Sequence, residues 1–351
     1  MKSKSFVLFL ALLLPAALFA KDPMPGGQSL FLYGHPKFIV TANSAAGGAI
    51  FSEGSYSLNM NPALTGGLQC PAADLGYTAL QQLDGSDSGH GGAVHLGIAV
   101  PSRLGVFSGG ANINFLEIGE APLGNGGTAR IGWARDVTRN LSLGFAVIGG
   151  YLVYDDLNDF FVGADLGVWY RIEQIAFLRN VRFAVVMQNM GKPYQLTESL
   201  DFYPGIFTPK AGVAASLIDI DKKFVLGLSA DLSFPTVSNL LFNAGLQVEI
   251  VDIVYVSAGW DFNAREFDAY EDKSLHLPFV GVGVRFSLNT SGSELMRKRG
   301  FNETTLDVDA VWQRYNSDFH LVSAGAAARF GVEDVLPPVI SVDENRIRYD
   351  Q

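Results

Sequence analysis

The stretch Phe224-Val-Leu-Gly-Leu-Ser-Ala-Asp-Leu-Ser233 decides the fold, because apolar and small or polar residues alternate along it. Every even-numbered residue is apolar, whereas the odd-numbered ones include Gly, Ser and Asp. A period of two places alternate side chains on opposite faces of a β-strand. Similar segments recur from Ala73 to Phe330. One face therefore meets hydrocarbon and the other meets water, which is typical of a closed transmembrane β-barrel.

The composition supports the same fold class. Of 351 residues 48% are hydrophobic and 17% are charged, yet beyond the N-terminus no apolar stretch is long enough for a membrane helix. Because backbone polar groups cannot face hydrocarbon unpaired, a sheet closed on itself is the remaining solution. The formal net charge of -10, without a Lys/Arg cluster, argues against nucleic acid as a partner. Cys70 is the only cysteine, which excludes an intrachain disulfide.

The N-terminus has the features of an export signal. Lys2 and Lys4 precede the apolar run Phe6–Leu14, and small residues up to Ala20 offer a cleavage site. The run is too short to span a bilayer. We therefore expect residues 1–20 to be a signal peptide and the mature protein to be exported.

Alternation and turn signals together predict fourteen strands, an even number that returns both termini to one side of the membrane. The strands are expected near residues 73–80, 92–100, 104–115, 128–135, 141–150, 161–171, 181–190, 209–217, 223–233, 241–250, 253–262, 278–287, 304–314 and 320–330. Tight turns should alternate with long outer loops. The long loops are expected at residues 81–91, 116–127, 151–160, 191–208 and 263–277.

Within each strand, the odd-numbered and the even-numbered residues lie on opposite faces, and this parity assigns each side chain to the outer face or to the lumen. The outer face should carry apolar residues such as Leu166, Leu246 and Val282. The lumen should carry charges of both signs, and two interpretations of them stay open: they form ion pairs that fill the barrel, or some of them line a path for a solute. These lumenal residues are Asp165, Arg171, Arg182, Asp231, Glu249, Arg285, Asp307 and Arg329.

Aromatic residues near the predicted strand ends are expected to form girdles at the level of the lipid headgroups. They are Tyr77, Trp133, Tyr151, Tyr154, Trp169, Tyr170, Tyr255, Trp260, Trp312 and Tyr315.

The segment ahead of the first strand is rich in small residues and lacks strand alternation. Its stretch Ser57-Leu-Asn-Met-Asn-Pro-Ala-Leu64 contains Asn61, Pro62 and Ala63. With the fourteen strands and the Gln188-Asn-Met-Gly191 end of the seventh strand, it resembles the N-terminal hatch of FadL-type long-chain fatty acid transporters and the related PorV-like outer-membrane proteins. The chain is shorter than typical fatty acid transporters, and it continues beyond the last strand.

This resemblance implies an all-β fold: a 14-stranded antiparallel transmembrane β-barrel with an N-terminal hatch, or plug, inside the lumen. The hatch would comprise residues 21–70, the barrel 71–331 and a periplasmic C-terminal tail 332–351. The protein would lie in the outer membrane of a diderm bacterium. It would take up long-chain fatty acids or similar hydrophobic molecules passively, and the hatch would shift to release them.

Apolar residues of the predicted outer loops are candidates for substrate binding, because burial of apolar surface would supply the binding free energy. The alternative is that they cap the barrel mouth or pack on one another. They are Phe202, Tyr203, Ile206, Phe207, Phe262, Phe267 and Tyr270. In the FadL family a strand kink opens the wall sideways for the substrate, and the glycine pairs Gly109-Gly110 and Gly149-Gly150 are candidates for such a kink.

Catalytic chemistry has little support. The five histidines are scattered, and neither a phosphate-binding loop nor a nucleophile elbow is present. We therefore expect no enzyme activity, no cofactor and no metal. The expected partners are outer-membrane lipid, a hydrophobic small molecule, and the barrel-assembly machinery during insertion. Two alternatives stay open: a PorV-like protein that binds a periplasmic or secreted partner and assists its secretion or assembly, and a soluble exported β-protein.

Overall fold

A computed structural model describes residues 33–82, 90–117, 125–154, 157–192, 207–221, 223–237, 239–264, 278–290, 294, 301, 303–314 and 319–331. The predicted signal peptide and C-terminal tail lie outside these residues. Within them, fourteen antiparallel strands close into one barrel, which confirms the predicted fold class. Each strand pairs with its neighbours in sequence, and the first pairs with the last from Ala72 opposite Arg329 to Gln82 opposite Phe319.

The strands are β1 (Ala72–Gln82), β2 (His90–Ser102), β3 (Gly105–Glu117), β4 (Asn125–Asp136), β5 (Leu141–Tyr154), β6 (Leu157–Ile175), β7 (Leu178–Lys192), β8 (Thr208–Ile220), β9 (Phe224–Ser233), β10 (Leu241–Ile250), β11 (Val254–Asn263), β12 (Phe279–Asn289), β13 (Glu303–Arg314) and β14 (Phe319–Phe330). The helix α1 (Pro36–Val40) and the 3₁₀ helices Ser55–Asn59 and Pro62–Thr65 precede them, and a third 3₁₀ helix (Pro235–Val237) follows β9. No helix in the described part of the chain is both long and apolar enough to cross a membrane.

Side chains of β9 show how the sequence produces the two faces of the wall. Leu228 and Leu232 are 40% and 42% exposed on the outside, whereas Ser229 and Asp231 are 5% and 2% exposed on the inside. The same alternation holds in β12, where Val282 points outward. A barrel closed on itself leaves no unpaired sheet edge, so its apolar outer surface is compatible with hydrocarbon.

One predicted loop is wrong. Residues 151–160 were expected to form a long connection, but β5 continues to Tyr154 and β6 begins at Leu157, and these two residues pair. The outward residues Tyr151, Val153 and Phe160 extend the apolar face of both strands. Because the alternation continues through this stretch, strand pairing continues too.

The two glycine pairs do not shift the register of the wall. Gly109-Gly110 and Gly149-Gly150 lie in strands whose pairing with both neighbours has no register shift. The shifts occur instead between β6 and β7, β7 and β8, and β8 and β9. Glycine permits a kink but does not require one, whereas an extra residue in one strand forces a bulge.

Two of the predicted girdle residues lie in the lumen. Trp169 and Tyr255 are 1% and 2% exposed. Trp169 packs against Phe51, with ring centroids 4.7 Å apart, and Tyr255 accepts a hydrogen bond from Lys37. Both follow the inward parity of their strands, so parity and not closeness to a strand end decides their position. Outward-facing aromatics of the predicted set are Tyr77, Trp133, Tyr151, Tyr170, Trp260 and Trp312.

Candidate functional site

The interior of the barrel is occupied by the chain's own residues Tyr33–Cys70, here called the lumenal segment. Most of its residues are buried, and its short helices contact strands on several sides of the wall. Pro36 begins α1, where the absent N–H of proline is no loss, and the His35 side chain accepts a hydrogen bond from Lys37 N at 3.1 Å. Such caps stabilise helices too short to persist alone.

Asn61 joins two parts of the lumenal segment. Its Oδ1 accepts a hydrogen bond from Ala63 N at 3.0 Å and so caps the 3₁₀ helix Pro62–Thr65. Its Nδ2 donates to Ala45 O at 3.0 Å and to Val168 O, a backbone carbonyl of the wall, at 3.4 Å. One buried amide therefore holds the Asn-Pro-Ala turn, the preceding loop and β6 together.

Glycines of the wall let the backbone of the lumenal segment approach closely. A Cβ atom on Gly144 would lie 2.3 Å from Ala63 N, and one on Gly227 would lie 2.4 Å from Ala49 O. No side chain fits at such distances, so these glycines shape the wall to the segment.

Polar side chains of β7 to β10 bind the backbone of the lumenal segment. The Arg182 guanidinium donates to Gly48 O at 2.9 Å and to Ala49 O at 2.7 Å. The other contacts are Gln188 Nε2 to Asn59 O and Met60 O, Lys210 Nζ to Asn43 O, Ala45 N to Asp231 Oδ1, and Asn243 Nδ2 to Ala42 O. The wall thus satisfies backbone groups that a loop without regular structure would otherwise leave unpaired.

One charged side chain of the lumenal segment reaches the opposite side of the wall. Lys37 Nζ lies 3.1 Å from Asp309 Oδ2 and 3.8 Å from Asp307 Oδ2, and it donates to the Tyr255 hydroxyl at 2.7 Å. Arg285 Nε lies 2.8 Å from the second oxygen of Asp307. Arg285 also contacts Glu249, at 3.5 Å, and Asp252. Acidic residues of β10 to β13 and two cations therefore form one network.

A second polar cluster joins the lumenal segment to β1, β2 and β3. His95 Nε2 lies 2.8 Å from Asp74 Oδ1, and His95 Nδ1 lies 2.8 Å from Asn112 Oδ1. Ser55 of the lumenal segment donates to the other oxygen of Asp74. The arrangement has the residue types of a hydrolase triad, but the serine hydroxyl contacts the carboxylate and not the imidazole, so it lacks the required geometry.

The His35 ring completes this cluster from the side of the lumenal segment. It stacks on Tyr56 with centroids 5.6 Å apart and meets the His95 ring edge-on at 5.7 Å. Burial lowers the pKa of His35 from 6.5 to about 3, because desolvation outweighs the opposing attraction of Asp74. Burial is also the main cause that raises the pKa of Tyr56.

An ion pair between β4 and β6 lies at the bulge between β6 and β7. Arg130 Nε lies 2.9 Å from Asp165 Oδ2, and the Arg130 guanidinium also donates to Asn59 of the lumenal segment. Asp165 Oδ1 accepts from Asn189 N at 2.7 Å, at the position where the register shifts. Asn189 has a positive φ of 58°, a conformation that asparagine tolerates better than most residues.

The remaining predicted lumenal residues lie at the end of the barrel where β1 begins and β14 ends. Arg171 Nη2 lies 2.7 Å from Asp136 Oδ2, and its guanidinium lies over the Trp169 ring at 4.6 Å. Arg329 is partly buried, opposite Ala72. Of the eight predicted residues, Asp165, Arg182, Asp231, Glu249 and Asp307 are buried, and Arg171, Arg285 and Arg329 are partly buried. Five of them, Asp165, Arg171, Glu249, Arg285 and Asp307, form ion pairs, whereas Arg182 and Asp231 bind backbone groups of the lumenal segment.

Two of the residues predicted to bind substrate lie in the described part of the chain. Phe207 is partly buried just before β8. Phe262 lies next to Trp260, with ring centroids 5.8 Å apart, on the outward parity of β11. The other five, Phe202, Tyr203, Ile206, Phe267 and Tyr270, lie outside the described residues.

Sequence reasoning missed the apolar residues of the lumen. Leu80, Val311 and Leu321 point inward and pack with Phe279 and Tyr33. Leu152 and Phe161 are also buried on the inner face of β5 and β6. The strands that carry these residues do not alternate strictly, because they have apolar residues on both faces. This departure from alternation is the signal that could have identified the apolar residues of the lumen.

Comparison with solved structures identifies the same architecture. A "TodX monoaromatic hydrocarbon channel deltaS2 mutant" has a TM-score of 0.52 at 10% identity, covering 84% of this chain and 100% of that chain. The Pseudomonas putida toluene transporter TodX has a TM-score of 0.51 at 10% identity, covering 86% and 100%. This chain has the fold of TodX.

A Pseudomonas aeruginosa FadL homologue has a TM-score of 0.49 at 11% identity, covering 84% of this chain and 98% of that chain. No family model matches the sequence, and no curated protein matches it. At such low identity the likeness to TodX concerns the fold alone.

Proposed function

We propose that this protein is an outer-membrane channel for the passive uptake of hydrophobic small molecules, and that the lumenal segment is its hatch. One observation supports this proposal above all. The wall is apolar outside, and the passage inside is occupied by residues of the same chain, held by hydrogen bonds and ion pairs. TodX, which shares the fold, is described as a monoaromatic hydrocarbon channel and toluene transporter.

The contacts of the lumenal segment are of a kind that can be broken and formed again. Its regular structure consists of a five-residue helix and two 3₁₀ helices, and much of its binding to the wall uses single side-chain hydrogen bonds. Segments with little regular structure open at lower free energy than the strands around them. A shift of the hatch would therefore leave the barrel intact.

Long-chain fatty acids and hydrocarbons of similar polarity are the proposed substrates. Removal of apolar surface from water contributes about 25 cal/mol per Å². Uptake would run down the concentration gradient, and the sequence contains no nucleotide-binding loop that would couple it to an energy source. Capture by Phe207, Phe262 and the predicted loop residues belongs to this proposal, as does insertion by the barrel-assembly machinery.

Reconstitution into liposomes tests the proposal. Wild-type protein should speed the uptake of a labelled fatty acid over protein-free liposomes, while a small sugar stays excluded. Deletion of residues 40–66 should admit the sugar as well, because the passage is then unblocked. N61D, which keeps the acceptor for Ala63 N and loses the donor to Ala45 O, should have an intermediate effect. Equal uptake with and without the wild-type protein would overturn the proposal.

A further inference from the structure

Asn114 is a buried amide that has no hydrogen-bond partner among the described residues. It lies in β3 on the inward parity, is 1% exposed, and neither its Oδ1 nor its Nδ2 makes a hydrogen bond. An unsatisfied buried amide costs about 1 to 3 kcal/mol. Native proteins contain few such groups, and each requires an explanation.

Asn114 lies between small residues on the inner wall. Its neighbours across the strands are Ala93 on β2 and Gly126 on β4, which are both small. Gly126 in turn pairs with Leu152, and a Cβ atom on Gly126 would lie 2.8 Å from Leu152 Cδ1. The Leu152 side chain therefore extends over Gly126, the residue that separates it from Asn114 across the strands.

The next row of inward residues also runs from polar residues on β3 and β4 to an apolar residue on β6. Asn112 pairs with Thr128, Thr128 pairs with Gly150, and Gly150 pairs with the buried Phe161. Gly150 itself contributes no side chain between Thr128 and Phe161. A polar strip on β3 and β4 thus faces an apolar strip on β5 and β6, toward the end of the barrel that carries the longer loops.

The charged groups nearby already have partners. Arg130 is bound to Asp165 and Asn59, and His95 lies between Asp74 and Asn112. Asn114, by contrast, is a neutral amide with neither its donor nor its acceptor paired among the described residues. Its complement is a neutral group that also donates and accepts, such as a hydroxyl, joined to an apolar body that packs on Leu152 and Phe161.

We infer that Asn114 is a specificity-determining residue of the channel, which binds the hydroxyl group of an otherwise apolar molecule in the lumen. This inference rests on the proposed function and deepens it. It distinguishes alcohols and phenols from plain hydrocarbons as the substrates that the lumen favours.

Equilibrium binding to the full-length protein in phospholipid nanodiscs tests the inference. The probes are 2-phenylethanol and ethylbenzene, which differ by one hydroxyl group, and partition into empty nanodiscs is subtracted. N114L should lower the preference for 2-phenylethanol by about two- to tenfold, the range for one neutral hydrogen bond, and leave ethylbenzene binding unchanged. S108A is the matched control, since it also removes a buried, unpartnered polar group of β3.

Gel mobility before and after heating separates this role from a structural one. N114L should unfold at the same temperature as the wild type or higher, because no described hydrogen bond is lost. A clear decrease would assign Asn114 to the stability of the barrel and overturn the inference. An unchanged preference in N114L, or an equal loss in S108A, would also overturn it.

Uptake of the same two probes into liposomes separates this inference from the proposed function. Uptake without a preference that depends on Asn114 would refute the inference alone. Binding that depends on Asn114, without uptake, would refute the channel alone.

Discussion

Lys37 Nζ lies 3.1 Å from Asp309 Oδ2 inside the barrel, and neither side chain has more than 4% of its surface exposed. Lys37 is the only Lys or Arg between Tyr33 and Cys70. The pair therefore provides the ionic link of the lumenal segment to β13. A buried ion pair is a weak source of net stability, but loss of one partner leaves an uncompensated charge.

We predict that K37M destabilises the lumenal segment by about 3 to 5 kcal/mol, because Asp309 then stays buried without its cation. Sugar permeability of liposomes should rise, and the folded form should disappear from gels at a lower temperature. K192M is the control, since Lys192 pairs with Asp159 at the surface, where such pairs contribute about 0 to 1 kcal/mol. If K37M had the sugar permeability and the unfolding temperature of the wild type, the prediction would be contradicted.

We predict that G144A displaces the lumenal segment, whereas G149A in the same strand has no effect. A Cβ atom on Gly144 would lie 2.4 Å from Pro62 C, a backbone atom that cannot move without the turn. The nearest atom to a Cβ on Gly149 is Phe161 O, at 3.8 Å, an ordinary contact distance. Sugar permeability and protease cleavage within residues 33–70 are the measurements. Equal behaviour of the two variants would show that the close approach at Gly144 is unimportant.

The strands could be predicted because their signal is local. In Phe224–Ser233 each residue's face follows from its parity, so the inward position of Asp231 required no knowledge of its partner. The bulge at Asn189 had no such signal, because it depends on how β6 and β7 align. Trp169 was misplaced because its closeness to a strand end was given more weight than its parity.

The contacts of the lumenal segment could not be predicted, because they join residues far apart in sequence. Lys37 and Tyr255 are separated by 218 positions. Asn61 was singled out through a resemblance, yet its bond to Ala45 O follows no periodic pattern. The unpartnered state of Asn114 is a property of the folded interior and not of any sequence motif.

We predict that acid loosens the lumenal segment through His35. A released His35 would take up a proton at its ordinary pKa of 6.5, whereas burial lowers the pKa of the bound residue to about 3. The bound state is therefore fully favoured above pH 6.5, and it weakens as the pH falls toward 3, by at most about 1.4 kcal/mol per pH unit. Sugar permeability should rise between pH 7 and 4.5 as a result.

H35N tests the assignment to this residue, because asparagine keeps an acceptor for Lys37 N and does not titrate. Its permeability should lose most of the dependence on pH. H320N is the control, since His320 lies on β14 beside Trp312, away from the lumenal segment. An unchanged pH dependence in H35N would assign the effect to another group.

We predict that a chain ending at Gly331 folds and transports like the full chain. Phe330 N donates to Pro71 O and Gly331 N donates to Glu303 O, both at 2.9 Å, so the last strand is fully bonded before the tail begins. A chain ending at Arg329 is the control: it loses both bonds and the Phe330 ring, which packs on Phe301 at 6.3 Å, and should insert poorly. If truncation after Gly331 abolishes uptake although the barrel is folded, residues 332–351 act in transport. If it abolishes only the capture of a protein partner, the tail serves the partner-binding alternative.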